Sequence, residues 1–155
     1  MNSTKNVNPS FFVDTNLLVY VYDAADQAKR DRATAVVIAL AEAGTGAIST
    51  QVLSELYRAL TKGRGLNLAP DVAEASVLRY ARSWPVLDVN LVHVMEAMRG
   101  VREHRLSYYD ALIWATARLN GVPYLLSEDG QDGRIVEGVR MMNPLTPDFN
   151  LDFLS

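Results

Sequence analysis

The residues of this chain best suited to chemistry are acids that sit beside apolar runs. Asp14 directly follows Phe11-Phe12-Val13, and Asp129 comes just after Tyr124-Leu125-Leu126. Asp110 opens a strongly apolar stretch, Ala111-Leu112-Ile113-Trp114-Ala115, and Glu55 lies between Leu53 and Leu56. Carboxylates gathered from separate segments repel and raise one another's pKa. A hard divalent cation relieves that repulsion, and an all-oxygen ligand set suits Mg²⁺ or Mn²⁺. One or two such ions activate water and stabilise the leaving oxygen in phosphodiester hydrolysis. Competing chemistries are poorly served. The 155 residues include no cysteine and two histidines. A thiolate zinc site, a Cys nucleophile, a disulfide scaffold and a His-rich metal site are therefore excluded.

The elements that must position these acids can be read from patterning. Hydrophobic residues make up 49% and charged residues 21%, enough apolar material for a real core. Short apolar runs at Phe11–Val13, Ala47–Ile48, Val86–Leu87, Tyr124–Leu126 and Arg140–Met142 read as strands. Between them, 17–22, 28–42, 51–61 (with Thr50 as cap), 71–83, 91–102 and 108–120 (capped by Ser107) read as helices. The alternation predicts a three-layer α/β sandwich with a short, mostly parallel sheet. Residues 11–155 are expected to be one domain behind a frayed leader at 1–10. That leader lacks the apolar stretch of a signal peptide, so a cytoplasmic protein is expected.

In such sheets ligands bind beyond the carboxyl ends of the strands. Asp14 and Asp129 fall at that edge. The helix from Tyr108 runs back along the strand that follows it, so its first turn, with Asp110, starts there. Glu55 is one turn into the helix that leaves the second strand, roughly 6 Å along its axis. Each acid also has a plain structural role open to it. Asp14 suits an Asx turn or cap, Glu55 an ion pair with Arg58, and Asp110 a capping box with Ser107. Asp129 and Asp132 each precede a turn glycine. Four unrelated turn and cap acids need not share an edge, however, and these do.

The segments Phe12-Val13-Asp14-Thr15-Asn16, Ser54-Glu55-Leu56, Ser107-Tyr108-Tyr109-Asp110-Ala111-Leu112-Ile113 and Leu126-Ser127-Glu128-Asp129, with Gln131-Asp132-Gly133, resemble the PIN domain. More narrowly they resemble VapC-type ribonuclease toxins of toxin–antitoxin pairs. The resemblance runs from about Phe11 to Pro144. It implies an Mg²⁺- or Mn²⁺-dependent endoribonuclease that hydrolyses RNA with a metal-activated water, leaving a 5′-phosphate. It also implies a homodimer and a small antitoxin. Motif by motif, Asp14, Glu55 and Asp110 match the principal metal-site acids, and Asp129 matches the fourth, with Asp132 competing for that place. Asp14 and Asp110 are expected to hold the principal ion. Thr15 and Asn16 match polar residues that steady the first acid.

Around these acids, Arg58, Lys62 and Arg64 form one candidate basic rim, and Arg99, Arg102 and Arg105 another, for RNA phosphates. A solvated helix face is the alternative for each. His104 is expected at the surface and His93 packed within its helix. Tyr20, Tyr22, Tyr108 and Tyr109 can stack bases, though packing accounts for most of them. Helices 28–42 and 71–83 are a candidate groove for an antitoxin helix. Net charge is −3, so nucleic-acid binding rests on local patches. Three rival functions remain: a phosphatase with Asp14 as nucleophile, a single-stranded DNA nuclease on the same metal site, and a non-catalytic binding module. The first is disfavoured because Asn16 stands where an Asp-x-Asp phosphatase has its second acid.

Overall fold

A computed structural model describes residues 8–63 and 65–155. The elements run β1 (Phe11–Val13), α1 (Thr15–Tyr20), α2 (Gln27–Ala43), β2 (Gly46–Ser49), α3 (Thr50–Lys62), α4 (Pro70–Ser83) and β3 (Val86–Leu87). They continue with α5 (Leu91–His104), α6 (Tyr108–Leu119), β4 (Tyr124–Leu126), β5 (Ile135–Val136), β6 (Val139–Met142) and a C-terminal 3₁₀ turn (Leu151–Leu154). The sheet order is β3-β2-β1-β4-β6-β5. Every pairing is parallel except β5 with β6. This is the expected α/β sandwich. The leader expected at 1–10 falls mostly outside the described residues, as does Arg64.

β1 is central, pairing with β2 through Phe12↔Ala47 and with β4 through Phe12↔Leu125. Both its faces are covered, so all three residues are buried. That is why it reads as an unbroken apolar run rather than an alternating one. The chain steps outward from β1 to β2 to β3, then crosses back to β4. Right-handed crossovers therefore put α1–α4 on one face and α5–α6 on the other. Contacts agree: α2 packs on α1, α1 on α3, α3 on α4, and α5 on α6. Among the described residues the helices of this layer thus pack in the order α2-α1-α3-α4, with α1 and α3 between α2 and α4.

Two local readings need correction. Ser49, not Thr50, caps α3 by accepting from Val52 N at 3.2 Å, while Thr50 Oγ1 accepts from Val89 N. Strand β5 was not expected. It forms because Glu137 (φ 46°) and Gly138 (φ 85°) make a two-residue hairpin turn with both central residues left-handed. The signal lay in Val-Glu-Gly-Val at 136–139.

The α5–α6 pair depends on a close approach. A Cβ on Gly100 would stand 2.8 Å from Trp114 Cζ3. Trp114 is fully buried and its Nε1 donates to Val136 O at 3.1 Å, so the ring is fixed and braces the hairpin. Alanine in place of glycine would gain about 1 kcal/mol of helix propensity. Crowding a fixed ring costs roughly 1–3 kcal/mol. Gly100→Ala should therefore destabilise the fold by about 1 kcal/mol, a fall in melting temperature of roughly 2–4 °C. A melting temperature equal to or above that of the wild type would show that the ring yields.

Candidate active site

The carboxyl ends of β1, β2 and β4 open into a cleft of ≈ 780 Å³. Asp14, Glu55, Asp110 and Asp129 all line it, with Thr15, Asn16 and Gln51. The acids reach it as topology demands. Asp14 ends β1 and caps α1, accepting from Thr15 N at 2.7 Å. Glu55 projects from the second turn of α3, Asp110 from the first turn of α6, and Asp129 from the loop after β4.

Each carboxylate is held by a neighbour. Ser127 Oγ donates to Asp14 Oδ2 at 2.7 Å. The same hydroxyl accepts from Asn16 Nδ2 at 3.1 Å and from Asp129 N at 3.1 Å. Asn16 Nδ2 also donates to Asp129 Oδ2 at 3.2 Å. Thr15 Oγ1 and Gln51 Nε2 donate to the two oxygens of Glu55, at 2.8 and 2.9 Å. Ser107 Oγ donates to Asp110 Oδ2 at 2.6 Å. The capping box expected of Ser107 and Asp110 is replaced by this bond, and Ser107 makes no side-chain cap. The ion pair considered for Glu55 with Arg58 is not made among the described residues; Thr15 and Gln51 take its place.

Burial pushes the Asp14 carboxyl up to about 6. The Ser127 hydroxyl and the Thr15 amide pull the other way, and Glu55 and Asp110 add repulsion. All four acids are hard oxygen donors, which fits Mg²⁺ or Mn²⁺. Among the described residues no three Asp, Glu or His side chains stand together as a ready ligand group.

The remaining predicted residues divide. Asp132 lines neither this cleft nor the cavity beside it; its Oδ1 accepts from Asn143 N at 2.9 Å and ties the loop to the end of β6. Arg58 lines the cleft, and Lys62 lines an adjoining recess with Glu55 and Arg58. Arg105 lines a second cavity beside Asp110. Arg99 is instead committed to Glu96, Glu103 and Glu137, and Arg102 pairs with Glu103. His104 bonds Glu137 at 2.6 Å, and His93 is buried, completing a capping box with Asn90. Tyr20 is buried, whereas Tyr109 is 66% exposed and lines the cleft. Sequence reasoning overlooked Ser127 and Gln51 as holding residues. Ser127 follows β4 directly, so the logic that placed Asp129 would have placed it too.

The PIN domain family model matches residues 11–135. The chain belongs to the PIN domain family. No curated protein sequence matches it. Among solved structures it is similar to a toxin–antitoxin complex from Klebsiella pneumoniae, with 20% identity, 87% of this chain and 98% of that chain covered, and a TM-score of 0.64. It is also similar to VapC20 of Mycobacterium tuberculosis, a sarcin–ricin-loop-cleaving toxin, at 23% identity over 75% and 87% of the two chains, with a TM-score of 0.61. A DNA-bound VapBC complex from Salmonella typhimurium gives 19%, 88% and 98%, with a TM-score of 0.61.

The raised pKa of Asp14 gives a stability test. Its folded pKa of about 6 lies above the 3.8 of an ordinary aspartate, so the folded state holds the proton more tightly. The stabilisation is full below pH ~4 and lost as pH rises through ~6. The loss is on the order of 3 kcal/mol. Asparagine at 14 removes the charge but sets an amide against Ser127 Oγ. In chelator, Asp14→Asn should exceed the wild type by about 1–3 kcal/mol at pH 7.5 and approach it at pH 4.5. Urea unfolding at the two pH values measures this, and an equal gap at both would refute the assignment.

Proposed function

We propose that this protein is a metal-dependent endoribonuclease, the toxin of a toxin–antitoxin pair. The observation that carries it is the convergence of Asp14, Glu55, Asp110 and Asp129, from four separate segments, on one open cleft. Membership of the PIN domain family supports it, and so does likeness to toxin structures. Asp14 and Asp110 would hold the principal Mg²⁺ or Mn²⁺, and Glu55 and Asp129 would hold a second ion or orient the water. The ion, when bound, supplies a Lewis acid that favours hydroxide at neutral pH and neutralises phosphate charge.

The chain's own residues do the rest. Ser127 and Thr15 N keep Asp14 ionisable despite its burial. Thr15 and Gln51 aim Glu55, and Asn16 ties the Asp129 loop to α1. Arg58, Lys62 and Arg105 flank the acids and bind RNA phosphates, which position the strand without reading its sequence. The fourth acid is Asp129 rather than Asp132, because only Asp129 faces the cleft. Hydrolysis leaves a 5′-phosphate.

Residues 11–155 work as one unit, since the C-terminal turn packs back on the sheet: Thr45 Oγ1 donates to Leu154 O, and Phe153 packs against Phe11 and Tyr124. No helix among the described residues is long and apolar enough to cross a membrane. Action in the cytoplasm, with an antitoxin, belongs to the same reading, and the toxin–antitoxin complexes among the similar structures support the partner. A homodimer is supported by α5, where Leu91, Val92, Met95 and Met98 are each more than half exposed along one side.

Three outcomes follow. With ~10 mM Mg²⁺ or Mn²⁺ and a dissociation constant of ~1 mM, linkage stabilises the wild type by about 1.4 kcal/mol. That is a melting shift of roughly 3–6 °C, absent in Asp110→Asn. Single-stranded RNA should be cut in Mn²⁺ and spared in EDTA; cleavage that persists in EDTA, or cutting of DNA but not RNA, would overturn the ribonuclease reading. Finally, the double variant Met95→Lys/Met98→Lys should turn a dimer into a monomer by light scattering, and a wild type that is already monomeric would remove the dimer from the proposal.

A further inference from the structure

The acids have a second cavity on their other side. It measures ≈ 200 Å³ and shares Asp14, Asp110 and Asp129 with the main cleft, but none of the cleft's other residues. Its apolar lining is Leu106, Ile113, Leu125 and Met141, all buried. Of its polar groups, the hydroxyls of Ser107 and Ser127 are already engaged with Asp110 and Asp14. Of the donors that remain, Arg105, Gln131 and Arg134, the one with a side-chain hydrogen bond that anchors it is Arg134. Its Nη2 donates to His104 O at 2.8 Å. Among the described residues no carboxylate pairs with Arg134 or with Arg105, which also lines the cavity.

A slot with one buried apolar wall and a guanidinium held by a hydrogen bond at its rim matches one kind of group: a flat ring with hydrogen-bond acceptors on its edge. A free carboxylate or phosphate would not need the apolar lining. In a single strand the bases are unstacked and available to such a slot. Arginine pairs bidentately with the O6 and N7 acceptors of guanine, whereas adenine sets a donor beside N7. Because the slot opens on the same three acids, a base within it belongs to a nucleotide adjoining the phosphate that those acids address.

We propose that this cavity is the base-reading subsite of the enzyme and takes a guanine of single-stranded RNA next to the scissile phosphate. This rests on the ribonuclease reading, and its test is built to fail separately. In metal-free protein at pH 7, methyl NMR of Ile113, Leu125 and Met141 is followed while GMP, AMP, CMP or UMP is added. GMP should shift these signals about tenfold more tightly than the other three, in line with one bidentate pair. Methyls on the opposite face, such as Val72, should not move. Arg134→Lys keeps the charge but not the fork, and should bring GMP to the level of AMP while leaving the remaining spectrum in place. Should that variant lose its fold, the four-nucleotide comparison on the wild type still decides. No shift with any nucleotide, or equal shifts with all four, overturns the subsite.

The second arm is cleavage of a randomised RNA pool in Mn²⁺. Cuts beside guanine support the subsite; cuts beside every base alike overturn it while leaving the ribonuclease reading intact. Selective GMP shifts without any RNA cleavage would instead sustain the guanine slot and remove the ribonuclease reading.

Discussion

The structure is organised around one costly placement: a carboxylate at the end of the central, doubly covered strand. Asp14 follows three buried residues and is itself nearly buried. An unpaired charge there is expensive, and two hydrogen bonds, from Ser127 Oγ and Thr15 N, offset part of that cost. Those two donors then dictate much else. Thr15 N is available because α1 starts at once, and the Thr15 side chain is thereby aimed at Glu55. Ser127 is available because β4 pairs with β1 in the register Val13↔Leu126, bringing the residue after each strand to the same level. Through Ser127 the Asp129 amide is drawn in as well. The raised pKa of Asp14 records what remains uncompensated, a local conflict of the kind expected at functional sites.

Much of this was legible in the sequence, for identifiable reasons. The buried strand β1 and the all-round apolar helix α6 carry strong patterns, and their ends fix where Asp14 and Asp110 stand. Parallel topology then supplied Glu55 and Asp129, since an α/β alternation leaves few choices of edge. What was not legible depends on side-chain direction. Asp129 and Asp132 are three residues apart and both precede glycine, yet only one faces the cleft; the loop path decides, and no local pattern encodes it. Likewise Arg99 and Arg105 lie on one basic stretch, but α5 turns Arg99 toward Glu96 and Glu137. Arg105 ends the helix in the left-handed region at φ 57° and faces the second cavity. Strand β5 is two residues long, and its signal lay in the Glu137-Gly138 turn rather than in any periodicity.

The face away from the α1–α4 layer is rigid for a different reason. Gly100 admits Trp114, Trp114 holds Val136, and the β5–β6 hairpin is thereby fastened to α5 and α6. Glu137, at the hairpin turn, meets Arg99, Arg118 and His104, closing the same contact from outside. Arg134, just before β5, reaches the His104 carbonyl. A packing requirement at a helical glycine thus reaches the wall of the cavity beside the acids, although Gly100 touches none of them.

The order in which the sheet is threaded also bears on synthesis. Its central strand is made first, but one of that strand's two partners, β4, comes more than a hundred residues later, and the hydroxyl that steadies Asp14 comes with it. At about 5–20 residues per second, a growing chain spends several seconds holding Asp14 and Glu55 without Ser127, Asp129 or the strand that aligns them. No nascent fragment short of β4 contains the assembled site. The four acids come together only once β4 has been made and has docked beside β1.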